Sequence, residues 1–147
     1  MKKFKFKLES VLKYRENMEK NEKNVLAGLN AELVSLLEQL AYLRGEYAKK
    51  AREFEEESKS GVTVHDIRAN HAFLKNIDYG AELKIKEIEE QNKLIARQTA
   101  VVIRAMQDTK TLDELKEQEL KKYKKEEQKA HEKFIEEFVT NSRARAK

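Results

Sequence analysis

The chain has 147 residues, 39% of them charged against roughly 25% in typical soluble proteins, with four Gly and no Pro. Its 31 basic and 27 acidic residues nearly balance at a net charge of +4, which favours helices paired along a narrow apolar seam over a disordered polyelectrolyte or a thick globular core. Without Cys, disulfides and thiolate metal sites are excluded, and no apolar run approaches the ~18 residues that would span a bilayer.

The first predicted element is a long helix over about residues 3–59. Its apolar residues recur mostly in steps of three and four, which is typical of a coiled-coil seam. Arg15 and Glu22 occupy seam positions and predict local weakening, and a shift of the stripe between Leu29 and Leu33 predicts a change of winding. The predicted seam comprises Phe4, Leu8, Val11, Met18, Val25, Leu29, Leu33, Leu36, Leu40, Leu43, Tyr47, Ala51 and Phe54.

A turn is predicted over residues 60–63, because Gly61 suits a helix C-cap and Thr63 with Asp66 resembles a capping box. A second helix should then run over about residues 64–141, followed by a basic tail over 142–147 that is expected to fray. The second seam comprises Phe73, Ile77, Ala81, Ile88, Ile95, Thr99, Val102, Met106, Thr109, Leu112, Leu120, Tyr123, Ala130, Phe134 and Phe138.

A short turn between two long amphipathic helices makes them antiparallel neighbours. The predicted fold is therefore all-α, a single domain formed by one long antiparallel two-helix coiled-coil hairpin. With the turn centred near residue 62, Leu29 faces Ile95 and the seams match along their length. Gly45 then faces Gly80, which indicates either a close approach of the helices or two tolerated surface glycines.

Helix 1 has nothing to pair with the residues beyond about 121 in this register. Roughly 20 residues of helix 2 should project by ~30 Å, because a helix rises ~1.5 Å per residue. This overhang carries Phe134, Ile135 and Phe138. Apolar side chains on a lone helix predict a partner, with weak self-association or fraying as the alternatives.

Nothing in the sequence indicates catalysis. His65 and His71 are six residues apart and do not share a helix face as metal ligands would, and His131 lies far along the chain. Four scattered glycines cannot build a phosphate-binding loop, and a two-helix rod offers no pocket that would desolvate a pair of carboxylates. We expect no catalytic residue, no metal site, no cofactor and no enzymatic activity.

Two basic clusters fall at the same end of the hairpin in the predicted register. Their members are Lys2, Lys3, Lys5 and Lys7 in the first and Lys121, Lys122, Lys124 and Lys125 in the second. Glutamates adjoin the second cluster, and no aromatic residues are interleaved as base stacking requires. An acidic protein surface or an anionic membrane is favoured over nucleic acid as the partner, and a merely solvated flank is the alternative.

Two segments resemble the FliJ family, small proteins of the bacterial flagellar type III export apparatus. The opening Phe4–Glu19 alternates aromatic and basic residues before a Val-Leu pair and an Arg-Glu pair, and Ser60–Ile67 with Phe73-Leu74 resembles the family's turn region. The resemblance implies a hairpin similar to the central stalk of rotary ATPases. It also implies a location in the cytoplasm, peripheral on the inner side of the cell membrane.

The resemblance further implies three partners: the export ATPase, bound through the end that carries both termini, the membrane export gate, and export chaperones. Gate contact is carried over to Tyr47, Phe73 and Ile77 in the tip half, and less securely to Leu40 and Leu43. These residues also lie on the predicted seams, so packing is the competing interpretation. Combined with this resemblance, the basic end gives the hypothesis that both lysine clusters bind acidic surfaces of the ATPase ring. A basic binder of nucleic acid or membranes and a generic dimerising coiled coil remain alternatives.

Overall fold

The computed structural model describes residues 2–146, which form two α-helices, α1 over Glu9–Ser58 and α2 over Val64–Ala146, and no strand. The helices pack against each other in opposite directions. Arg15 lies beside Asp108, and the Leu29 carbonyl accepts a hydrogen bond from Gln91. Both pairs agree with the predicted register to within one helical turn, and the predicted all-α helical hairpin is confirmed.

The turn owes its geometry to local sequence. The backbone N–H of Gly61 donates to the Ser58 carbonyl at 3.1 Å, and Gly61 has a φ of +91°, which glycine adopts without steric cost. Thr63 and Asp66 exchange two hydrogen bonds, each side chain accepting from the other residue's backbone N–H at 3.1 and 3.3 Å. This reciprocal pair satisfies donors that the first turn of α2 would otherwise leave free, as the capping box predicts.

Two predicted helix limits are wrong. Helix α1 begins at Glu9 rather than near residue 3, because the alternation of Lys and Phe suits an extended segment that turns both Phe4 and Phe6 towards α2. Helix α2 continues to Ala146 rather than ending near 141, because Ala and Arg at 143–146 are good helix formers and no Gly or Pro follows Gly80. Residues 142–146, which were expected to fray, belong to this helix, and Lys147 lies outside the described residues.

The seam of α1 differs from the prediction by one residue over its first half. Leu12 is 2% exposed and Leu26 is half-buried, whereas Val11 and Val25 are 40% and 50% exposed. With Leu12 and Leu26 inward, the steps of three and four continue without interruption through Leu29 and Leu33. The predicted shift of the stripe is thus not needed, because Leu26 rather than Val25 precedes Leu29, so that a step of three comes before the step of four to Leu33.

Polar side chains complete the seam at several levels. Arg15 forms an ion pair with Asp108 at 3.4 Å. Gln91 is only 6% exposed and donates to the Leu29 carbonyl at 2.9 Å, and Gln98 donates to the Glu22 carbonyl at 3.0 Å. Buried polar groups are tolerated where they find hydrogen-bond partners, so these residues hold the two helices in one alignment.

The contacts divide the chain into two compact units. Unit 1 comprises Met1–Asn21 and Val102–Lys147, of which residues 2–21 and 102–146 are described, and unit 2 comprises Glu22–Val101. Unit 1 buries Phe6, Leu12 and Val102; unit 2 buries Leu40 and Ala81. That the chain forms a single domain stays a prediction.

Gly45 and Gly80 are not a close-packing pair: Gly45 is exposed, and Gly80 is half-buried without a close neighbour. Nothing lies within 4 Å of the place where a Cβ would stand on Gly45, and on Gly80 such an atom would meet only Leu43 Cδ1 at 3.8 Å, an ordinary contact distance.

Candidate interaction surfaces

The segment before α1 is held against α2 by its aromatic residues. The Phe4 ring packs against the Tyr123 ring with centroids 5.6 Å apart, and Phe6 is buried. Because alternate residues of an extended segment point to opposite sides, the intervening lysines face solvent. Lys2, Lys3, Lys5 and Lys7 are all exposed.

Tyr123 joins the two basic clusters. Its hydroxyl donates a hydrogen bond to the Lys2 carbonyl, and it lies in the middle of the second cluster, whose members Lys121, Lys122, Lys124 and Lys125 are exposed. The structure therefore brings both clusters together in unit 1, as the antiparallel register predicted. We call these eight lysines the basic surface.

An ion pair fixes the start of α1 beside the basic surface. Lys116 Nζ lies 2.9 Å from Glu9 Oε2, and this hydrogen bond raises the pKa of Lys116 above its usual value. Glu9 is in turn positioned by its backbone N–H, which donates to the Phe6 carbonyl at 3.2 Å. The pair ties the first turn of α1 to α2, so the extended segment leaves α1 at a defined point.

In the tip half, the residues carried over for gate contact differ in accessibility. Tyr47 and Phe73 are 41% and 44% exposed, Ile77 and Leu43 are half-buried, and Leu40 is buried at 7%. Leu40 therefore packs between the helices and offers little surface to a partner. The roles of all five residues stay predictions.

Phe73 and Tyr47 lie on two different shallow surfaces of unit 2. The Lys50 ammonium lies 5.3 Å from the centre of the Phe73 ring, a cation–π contact beside a depression that Glu53 and Asn70 also line. Tyr47 lines a groove of about 180 Å³ with Leu43, Ile77 and Ile85. Phe73 is therefore partly covered by a charged neighbour, whereas the Tyr47 groove is mainly apolar.

Sequence reasoning missed several exposed apolar side chains of the tip half, among them Tyr42, Tyr79 and Ile85. Tyr42 is 68% exposed, Tyr79 63% and Ile85 36%. The available signal was that each lies off the seam stripe, where a helix in water is usually polar.

The end of α2 has no intramolecular cover. Every residue from 124 to 146 is exposed, including Phe134 at 66%, Ile135 at 46% and Phe138 at 64%. The predicted overhang is thus present, although it starts after Tyr123 rather than near 121. We call residues 124–146 the terminal segment.

The described residues contain no group of three or more His, Cys, Asp or Glu placed to hold a metal ion. Between residues 2 and 146, no helix combines the length and the apolar character that crossing a membrane requires.

Comparison with known proteins gives one family. The family model described as flagellar FliJ protein matches residues 4–147. Neither a curated protein nor a solved structure matches the chain.

Proposed function

The chain belongs to the flagellar FliJ family, and from this membership we propose that it is a nonenzymatic component of flagellar protein export that joins an export ATPase ring to the membrane export gate and escorts export chaperones. The family implies an export-related role in flagellum assembly. The structural observation that supports the finer proposal is the packing of Phe4 on Tyr123, which gathers eight exposed lysines in one place.

The basic surface is the proposed ATPase contact. Its lysines lie on a short extended segment and on a helix that are fixed to each other, so their positive charges act together on one partner. Exposed charges of one sign speed association with a surface of opposite sign, and the effect falls with ionic strength. An acidic surface of the ATPase ring is the proposed counterpart.

Charge reversal tests this contact. Replacing Lys2, Lys3, Lys5 and Lys7 with Glu is expected to abolish stimulation of the purified ATPase, while far-UV circular dichroism stays unchanged. The matched control reverses four exposed basic residues outside the basic surface: Lys75, Lys86, Arg97 and Arg104. Full stimulation by the first variant, or equal loss in both variants, would contradict the assignment.

The groove that Tyr47 lines is the proposed gate contact. Phe73 is proposed as a second contact residue, on the separate depression beside Lys50. Both side chains are more than two-fifths exposed, so they can lose surface to a partner. Tyr47→Ala and Phe73→Ala are expected to reduce swimming motility and gate binding, with the thermal midpoint nearly unchanged. A sharp drop in the midpoint instead would assign these residues to packing.

Chaperone escort and attachment to the membrane side of the export apparatus complete the proposal. We would capture partners with the tagged chain from lysate of its source, with and without nuclease treatment and at low and at high salt. Recovery of a hexameric ATPase, a gate protein and export chaperones supports the proposal. Recovery of nucleic-acid-binding proteins alone, lost with nuclease or salt, would contradict it and favour the nucleic-acid alternative.

A further inference from the structure

The two Phe side chains of the terminal segment lie on the side of α2 that carries its seam, beyond the residues that pack in unit 1. In unit 1 that seam runs through Thr109, Leu112, Lys116 and Tyr123. At about 100° per residue, Phe134 comes about 20° and Phe138 about 60° from the direction of Tyr123. Every residue from 124 to 146 is exposed, so helix α1 does not cover this face.

The spacing of the residues on this face is the same read in either direction. Its positions are Glu127, His131, Phe134, Phe138, Asn141 and Arg145, with steps of four, three, four, three and four. Such spacing is that of a coiled-coil seam, and the order of steps is the same read in either direction. A face of this kind matches an identical face that runs antiparallel to it about a two-fold axis near residue 136.

We infer that the terminal segment binds the terminal segment of a second copy as a short antiparallel coiled coil. In this alignment Phe134 of one copy faces Phe138 of the other at the centre of the contact. The two Phe side chains are 66% and 64% exposed in a single chain, so pairing removes apolar surface from water. Each contact occurs twice because the interface is isologous.

Charge complementarity selects the antiparallel direction. The two-fold axis places Glu127 opposite Arg145 and His131 opposite Asn141, so each polar position of the face meets a partner of matching chemistry. A parallel alignment would instead place Glu127 against Glu127 and Arg145 against Arg145, which is unfavourable. The inference uses only the terminal segment and is independent of the proposed export function.

The contact between the two Glu137 side chains opposes the association. On one flank of the antiparallel contact, Ile135 of one copy lies beside Ile135 of the other. On the opposite flank, Glu137 of one copy lies beside Glu137 of the other. Like charges beside the axis weaken a coiled coil, so this arrangement predicts a reversible dimer rather than a permanent one.

Analytical ultracentrifugation of the full chain over a range of concentrations tests the inference. The wild type is expected to change from monomer to dimer as its concentration rises. Phe138→Ala should weaken dimerisation by roughly tenfold or more, because the lost apolar contact occurs twice. The matched control is Tyr79→Ala, which should leave dimerisation unchanged. Tyr79 lies outside the terminal segment and, at 63%, is about as exposed as Phe138.

Charge variants test the direction of pairing. Glu127→Arg and Arg145→Glu should each weaken the dimer, the double variant should restore it, and Glu137→Gln should strengthen it. A chain that stays monomeric at every concentration would overturn the inference and leave this face to a different protein. A dimer that Phe138→Ala leaves intact, or a double variant no stronger than either single one, would overturn it as well.

Discussion

At the scale of single residues, Gly45 makes α1 less stable than an alanine at the same position would. It lies inside α1, with nothing within 4 Å of a Cβ position. Gly in a helix interior is about 0.8–1 kcal/mol less favourable than Ala, chiefly because it loses more backbone entropy on folding. We expect Gly45→Ala to raise the free energy of unfolding by about 0.5–1 kcal/mol, measured by urea unfolding followed by circular dichroism.

Gly61 supplies the control for that substitution. Its φ of +91° is one that residues with a Cβ rarely adopt, although space around it is equally open. Gly61→Ala is expected to lower the free energy of unfolding by about 1 kcal/mol, since the left-handed conformation costs 1–2 kcal/mol for other residues. Equal effects of the two substitutions would contradict the argument from backbone conformation.

The buried Gln91 fixes the alignment of α2 against α1 and adds little to the stability of the fold. Its amide donates to the Leu29 carbonyl, which already belongs to the hydrogen-bond ladder of α1, and Glu32 Oε2 lies 3.5 Å away. Gln91→Leu therefore leaves no orphaned backbone group and should unfold at the same or a higher temperature. Gln91→Glu buries a carboxylate beside Glu32 and a carbonyl, and should cost about 2–3 kcal/mol at neutral pH.

The pH dependence separates the two Gln91 variants. A buried carboxylate with a carboxylate neighbour has a raised pKa, so protonation relieves its cost as the pH falls. The deficit of Gln91→Glu relative to the wild type should shrink on acidification, whereas Gln91→Leu should follow the wild type at each pH. Thermal unfolding of the three proteins across the acidic range measures this, and a deficit that is constant with pH would contradict burial as its cause.

At the scale of elements, the segment before α1 is attached by the Phe4–Tyr123 ring contact, by the buried Phe6 and by the hydrogen bond from Tyr123 to the Lys2 carbonyl. Phe4→Ala removes the ring that packs on Tyr123 and should loosen the segment, because a few residues without a helix depend on such contacts for their order. Amide hydrogen exchange should become faster over residues 3–7 and stay slow in both helices. Tyr42→Ala, at a site 68% exposed, should change neither, and unaltered exchange in Phe4→Ala would contradict the anchoring role.

The turn and the hairpin could be predicted from sequence because their determinants are local. Gly61 and the pair Thr63 with Asp66 each act on neighbouring backbone groups, so their effect is readable without knowledge of the partner helix. The residue at which α2 ends could not be predicted, because no Gly or Pro after Gly80 marks the end of the helix. The start of α1 was missed because a Lys-Phe alternation of period two was assigned to a helical seam.

The choice between adjacent apolar residues also lies beyond local sequence. Val11 and Leu12 are neighbours, as are Val25 and Leu26, and either member extends a stripe of steps of three and four. Packing against the partner helix decides: Leu12 is buried and Leu26 half-buried, whereas Val11 and Val25 stay exposed. For the interaction surfaces, the register sufficed to group the lysines, whereas the exposure of Tyr47 and Phe73, which both lie on the predicted seams, depends on packing.

At the scale of the whole molecule, the two units differ in how their parts are joined. Unit 2 is one continuous stretch, Glu22–Val101, that contains the turn and its caps. Unit 1 is built from two stretches that the chain brings together only through the hairpin. Two segments joined by a short linker meet at an effective concentration on the order of millimolar. Unit 2 keeps this advantage when it is excised, because its two helical segments stay joined through the turn. Unit 1 loses it, because its two stretches become separate molecules.

We therefore expect a fragment of residues 22–101 to be helical and to unfold cooperatively by itself, although with lower stability than the full chain. Equimolar fragments 1–21 and 102–147 should gain no helicity on mixing at micromolar concentration. Fragment 1–21 contains only the first turns of α1, and isolated helices shorter than about 12–15 residues are marginal in water. The contact between the two fragments is also small. Circular dichroism of each fragment and of the mixture tests this. A gain of helicity on mixing, or an unfolded 22–101, would mean that the turn is not what organises the pairing of the helices.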